Sequence, residues 1–346
     1  MRKVNLLLLA CFVFISGLMA QDLERPGFYM QAMDAAHKEM DQKYMAYMSA
    51  ASHGKRARKV EKLRLQVVES ISNSKSKVLE LPLFKGDNSL RKCYVEYIDI
   101  CYKIFNEDYA KIVNTEEIAE QSFDEMQAYL LLKEKVDEKL KEACDKINKG
   151  GEEFAAKYNV TFVDGEKSKL AKKMETTSNV NKYYKPIHLI FFKCNWQDAA
   201  LTKALNEARL TDVEQSRSSV IKYADEGLMA LKAIQPYEGD PMLTDACKQV
   251  LLAYKSIAEK ETLVNIDFHL KKENFEKIKK AYEAKSQSNK TKEDVDAYNK
   301  SVNEFNTAVN LSNQASATAN KKRSEAFKAW EDAVKSFFDK YTPYYR

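Results

Sequence analysis

Met30, Met33, His37 and Met40 fall three and four residues apart, so a helix would carry all four on one face. Thioethers and an imidazole together form a donor set suited to copper(I). The same spacing also makes a helix seam, where Met is a common gap filler, and that reading is preferred. Asp34 and Asp41 flank His37 at three and four residues, and His269 stands four residues before Glu273. Either pair could begin a carboxylate-histidine site, but no Glu-x-x-His motif answers from a second helix, and pairs of this kind usually bridge on the surface. With four His, no nucleophile elbow and no Gly-rich phosphate loop, nothing supports acyl-transfer or nucleotide chemistry. The chain reads as non-enzymatic, with no cofactor.

The elements that would position these residues are set by a repeat. Leu81-Pro82-Leu83-Phe84-Lys85-Gly86-Asp87 returns as Ile234-Gln235-Pro236-Tyr237-Glu238-Gly239-Asp240, 153 residues further on. Their flanks agree at the same offset: Val67-Val68 falls on Val220-Ile221, Val78 on Leu231, Leu90 on Leu243, Ile98 on Leu251 and Ile104 on Ile257. The pattern predicts a tandem duplication. In each copy a helix ends before a Pro-aromatic turn, Gly86 or Gly239 takes positive φ, and Asp87 or Asp240 caps the next helix. Nine Gly and six Pro in 346 residues favour long helices over a turn-rich β fold, and 45% apolar residues suffice for two cores. The expected class is all-α: two up-and-down helical bundles with one very long C-terminal helix.

At the N-terminus Arg2-Lys3 precede an apolar run from Leu6 to Leu18, and Leu18-Met19-Ala20 ends in a small residue before Gln21. This is the layout of a secretory signal peptide, 1–20. Lipid attachment at Cys11 would leave too short an apolar lead. The longest later apolar run, 187–192, is too brief to span a bilayer. Loss of Arg2 and Lys3 with the leader takes the formal net charge from +5 to +3, a near balance that argues against nucleic acid as a partner. Five cysteines remain: Cys93, Cys101, Cys144, Cys194 and Cys247. The count is odd, no C-x-x-C occurs, and Cys101 aligns with Tyr254 and Cys247 with Tyr94, so the two copies share no cysteine framework. Buried thiols are expected.

The first bundle should occupy 21–159 as four helices, the first carrying Met30 to Tyr47, the next two at about 57–81 and 88–112, and a fourth from about 115 that Gly150-Gly151 should break or kink. A connector is expected at 160–177 and the second bundle at 178–346. There the seam restarts at Tyr184, Ile187, Phe191 and Cys194, offset by 154 from Met30, Met33, His37 and Met40, with Pro186 opening or kinking that helix. Phe154 and Tyr158 match Phe337 and Tyr341 only at an offset of 183, so the second copy holds 30 extra residues, near 283–312. A heptad runs from Val295, Tyr298, Val302 and Phe305 through a weaker middle, Ser312, Ser316, Ala319 and Arg323, to Trp330 and Phe337. It predicts one helix of roughly 50 residues, or ~75 Å at ~1.5 Å per residue. Val295, Tyr298, Val302 and Phe305 are the candidate partner face. They either pack within a hairpin turning near 286–289 or serve a protein partner or self-association.

The signal peptide, Gln21 as mature start, the Pro-aromatic-x-Gly-Asp turns and the closing Phe337-Phe338-Asp339-Lys340-Tyr341 together resemble uncharacterised exported or surface helical proteins of Gram-negative bacteria. That resemblance implies an envelope or surface location and no chemistry. The expected function is a non-enzymatic interaction or structural role in the periplasm or at the cell surface. The alternative is a small-ligand or metal carrier using a bundle core.

Overall fold

The computed structural model describes residues 23–54, 56–112, 119, 122–162 and 169–345; the expected signal peptide lies outside them. All regular structure among the described residues is helical, so the fold is all-α. None of these helices is long and apolar enough to cross a membrane. The chain forms two compact units. The first holds the described residues up to Asn181 together with those of the segment Asp339–Arg346, and the second is Lys182–Phe338.

In the first unit, α1 (Pro26–Ser52) opens with Pro at its first position, where no N–H donor is needed. It is followed by α2 (Ala57–Glu80), α3 (Ser89–Lys103), a π turn (Ile104–Asp108) continuous with α3, and α4 (Phe123–Lys157). Ser122 caps α4, its hydroxyl accepting from the Glu125 amide at 3.1 Å. α1 packs on α2, α2 on α3 and α3 on α4, around a core that includes Met33, Val67, Ile71, Val78, Leu90, Ile98 and Phe154. α4 runs unbroken through Gly150-Gly151, contrary to the expected break. The reason is packing: a Cβ on Gly150 would stand 2.5 Å from Cys93 Sγ on α3. The glycine lets two helices approach, and that contact outweighs the ~1 kcal/mol that Gly costs in a helix interior.

α5 (Lys169–Asn206) is one continuous helix, so the expected connector 160–177 is helical from Lys169, and Pro186 lies inside the helix rather than at its start. The second unit takes α5 from Lys182, then α6 (Leu210–Ala233), α7 (Met242–Ser256), a π turn (Ile257–Glu261), α8 (Thr262–Glu283) and α9 (Lys292–Tyr341), of which residues up to Phe338 belong to it. α6, α7 and this π turn carry the bounds of α2, α3 and the earlier π turn shifted by 153 residues. The long C-terminal helix is α9, of 50 residues.

The turns recur in the same detail. Lys85 and Gly86 have φ of 49° and 81°, and Glu238 and Gly239 have 51° and 82°. Two consecutive left-handed residues make a type I′ turn. Each is closed by an amide-to-carbonyl bond, Asp87 N to Phe84 O at 2.8 Å and Asp240 N to Tyr237 O at 2.9 Å. The carboxylate then accepts from the first amide of the next helix, Ser89 at 2.8 Å and Met242 at 2.9 Å. Three rings pack over each turn: Tyr29, Phe84 and Phe154 in the first unit, Tyr183, Tyr237 and Phe337 in the second, with all centroid separations between 5.2 and 5.9 Å.

The extra residues of the second unit form the tips of α8 and α9 and the turn between them, where Gln287–Asn289 make a short 3-10 turn. The arms stack on each other: Phe305 lies on Phe275 at 4.8 Å, and Tyr298 on Tyr282 at 4.5 Å, both pairs within 9° of parallel. α9 buries a small-residue seam of Ser301, Ala308, Ser312, Ala315 and Ala319, which takes in Ser312 and Ala319 of the weaker heptad middle.

Candidate functional site

The sequence-derived metal candidates are packing residues. Met33 and Met40 are buried on the core side of α1, while Met30 lies near Gly151 of α4. His37 donates from Nδ1 to Met33 O at 3.3 Å, faces Asp41 at 3.5 Å from Nε2, and lies against Tyr94 and Tyr97. Tyr94 donates its hydroxyl to Asp34, and burial first, then that carboxylate, pushes its pKa up. Glu273 is engaged with Lys277 at 2.7 Å on the same helix, and burial lowers the pKa of His269. Among the described residues no group of three or more His, Cys, Asp or Glu is placed to hold a metal ion.

The turn residues Gly86, Asp87, Gly239 and Asp240 stand where the sequence puts them. Asp87 also accepts from Lys157 at 2.8 Å and Tyr158 at 2.9 Å, and the lysine first of all holds its carboxyl far below the usual range. Of the candidate partner face, Tyr298 and Phe305 give their ring faces to α8, Val302 is half-buried and Val295 is exposed. Burial raises all five described thiols, Cys101 and Cys247 to about 12.

The two units part company beside the π turns. In the first unit this region is an aromatic plug. Tyr44 and Tyr47 of α1 pack on Phe105 at 5.2 and 6.3 Å, and Tyr109 stacks on Phe105 at 4.7 Å. The Phe105 carbonyl accepts from Arg64 at 2.5 Å. At the offsets of 154 and 153 those four rings correspond to Asp198, Leu201, Ala258 and Thr262. Three of the four rings have given way to small or polar groups, and the fourth to Leu201, which is buried. Leu140 of α4, which packs on the first core, corresponds to Arg323 at the offset of 183.

Leu201, Ala258 and Thr262 are buried, while Asp198 joins a polar network beneath an open cleft. Arg323 donates Nε and Nη2 to the two carboxylate oxygens of Asp198 at 2.7 and 2.9 Å, a bidentate pair in which Asp198 is buried and Arg323 mostly so. Tyr254 donates to Asn195 at 2.6 Å, and burial pushes its hydroxyl pKa upward. Lys322 reaches Glu261 of the π turn at 2.8 Å, and Ser312 donates to Asn265 at 2.6 Å. Over the ion pair lies a cleft of about 610 Å³. α5 lines it from Asn195 to Asn206, followed by Glu207 of the turn after it, α7 contributes Tyr254, and α9 contributes Arg323, Ser324 and Phe327. It is a shallow cleft, open to solvent rather than enclosed.

The sequence singled out none of these groups for a site, and named Arg323 and Ser312 only as weak heptad positions. The signal was available by setting the two units side by side at these offsets, since Tyr44 and Leu140 then fall on an acid and a base. Comparison with protein-family models, curated proteins and solved structures finds no match to the chain.

Proposed function

We propose that this is an exported, non-enzymatic interaction protein of the cell envelope or surface, built from two helical units of common origin by duplication. The first unit is the filled scaffold, and the second binds its partner through the cleft beside Asp198 and Arg323. One observation carries the reading: scaffold elements repeat at 153 residues down to a π turn and a type I′ turn, yet among the described residues the second unit sets a buried ion pair under an open cleft at the positions that correspond to Tyr44 and Leu140 of the first. The long helix α9 takes part by supplying Arg323 and Phe327. The aromatic stripe of Tyr298 and Phe305 serves the hairpin. The signal-peptide pattern of 1–20 supports export.

Tagged mature protein, cross-linked in envelope fractions, tests this. Captured material should fall strongly when exposed Phe327 is changed to Ala, and be unchanged with Met229→Ala, an exposed residue outside the cleft. Equal capture by all three proteins would refute the cleft as the binding surface. Recovery of the tagged protein in the cytoplasm with 1–20 uncleaved would refute export.

A further inference from the structure

The charges that line the cleft are unequally committed. Both of its acids are engaged: Asp198 by Arg323, and Glu207 by Arg209 at 2.7 Å. Its bases are not. Nε and Nη2 of Arg323 hold Asp198, while Nη1 has no acceptor among the described residues and is not sealed from solvent. Lys203 of α5 is exposed and makes no ion pair among the described residues. Beside them the lining turns apolar, with Ala199 and the ring of Phe327, which is 38% exposed and lies 6.1 Å from Phe191.

Resting on the reading of the cleft as the binding surface, we infer that it is a carboxylate site: an ammonium and a guanidinium edge take the anion, and Phe327 takes an apolar group next to it. Asp198 acts as a positioning residue. It fixes the guanidinium plane so that the free Nη1 edge is presented without the usual loss of side-chain freedom, and this rigidity is why Arg suits planar carboxylates better than Lys. The opposite ligand, a cation, would meet no uncommitted acid. The same chemistry could come from a free organic acid or from the C-terminal carboxylate of a peptide.

The test uses the mature full-length chain and four probes: 3-phenylpropanoate, its primary amide, acetyl-Ala-Phe with a free C-terminus, and the same peptide amidated. Binding is read by calorimetry and by the arginine Nε–H resonance of Arg323. Loss of one charge-assisted contact of about 1.4 kcal/mol is a tenfold change in Kd. Each acid should therefore bind about tenfold or more tightly than its amide, and the exposed Lys203→Gln should weaken the acids by a similar factor while leaving the amides unchanged. Arg323→Lys, with its ion pair kept, should weaken the acids as well. Tighter binding of the peptide acid than of phenylpropanoate assigns the site to chain termini, and the reverse assigns it to small acids. Acid and amide binding equally, Lys203→Gln without effect, or no binding of any probe at millimolar concentration would overturn the inference. If envelope capture still depended on Phe327 in that case, the cleft would remain the binding surface with a different ligand. Capture independent of Phe327 would remove both.

Discussion

Removing one member of the Arg323–Asp198 pair is the most informative single perturbation of the second unit. The Asp198 side chain is 6% exposed and that of Arg323 18%. Breaking a buried pair from one side costs roughly 3–5 kcal/mol, chiefly because the surviving charge is stranded. Residual contact of Arg323 with water argues for the low end, about 3 kcal/mol for Arg323→Leu. For a unit of this size about 2–4 °C is lost per kcal/mol, so the melting temperature should fall by roughly 6–12 °C. Both tryptophans, Trp196 and Trp330, lie in the second unit, so their fluorescence reports its unfolding alone. Asp198→Leu combined with Arg323→Leu removes both charges and should melt near wild type or above it. A single variant within about 2 °C of wild type, or a double variant as unstable as the single, would refute the claim that a desolvated pair stands here.

Gly86→Val and Gly239→Val should each destabilise their unit by about 1 kcal/mol or more, since both residues hold φ near 80°; unchanged denaturant midpoints for both would remove the argument. Gly150→Ala places a methyl against Cys93 Sγ and should destabilise the first unit, with partial rescue by Cys93→Ala; two additive effects in that cycle would show that α3 and α4 do not meet there. Because its folded pKa is depressed, Asp87 contributes stability that is complete above the ordinary carboxylate value of 3.8 and is lost as pH falls below it toward the folded pKa. The stability gap to Asp87→Asn should be constant near neutrality and close in acid, and a gap that widens in acid would reverse the sign of this account. Copper(I) titrated into the mature protein should bind substoichiometrically, and one equivalent lost on Met33→Leu with Met40→Leu would restore the metal reading of that face.

The parts of this fold legible in the sequence are those governed by local rules. Lys85-Gly86-Asp87 and Glu238-Gly239-Asp240 announce a turn because positive φ and an Asx-type carboxylate bond need particular residues within a few positions. Gly150 misled, since the helix-breaking tendency of glycine is weak and a close approach to Cys93 reverses its meaning. The π turns escaped because no residue type marks them; Ile104–Asp108 and Ile257–Glu261 read as ordinary helix. The cleft was invisible for a different reason. Asp198 and Arg323 are 125 residues apart, and each alone looks like a charged residue on a solvated helix. Only their shared correspondence, at the repeat offsets, to Tyr44 and Leu140 of the first unit carries the information.

That correspondence also bears on why the cleft exists. Burying one large aromatic or aliphatic side chain stabilises a fold by about 1.5–3 kcal/mol. The second unit forgoes the counterparts of Tyr44, Phe105, Tyr109 and Leu140 at one place and holds an ion pair that at best roughly breaks even with apolar packing. Stability cannot explain the exchange, since the neighbouring unit shows that the same scaffold accepts the aromatic solution. Specific helix registry could be offered instead, yet the α8–α9 hairpin and the Ser312–Asn265 bond already fix the register of α9. On the proposed reading what remains is the Arg323 edge that lines the cleft with Lys203 and Phe327, a benefit realised only when something occupies it. The double Leu variant therefore separates the two accounts. If the pair serves structure, that variant keeps full envelope capture and carboxylate binding. If the pair serves recognition, the variant stays folded, melts at or above the wild-type temperature and loses both, as expected where a functional site is held at a cost in stability.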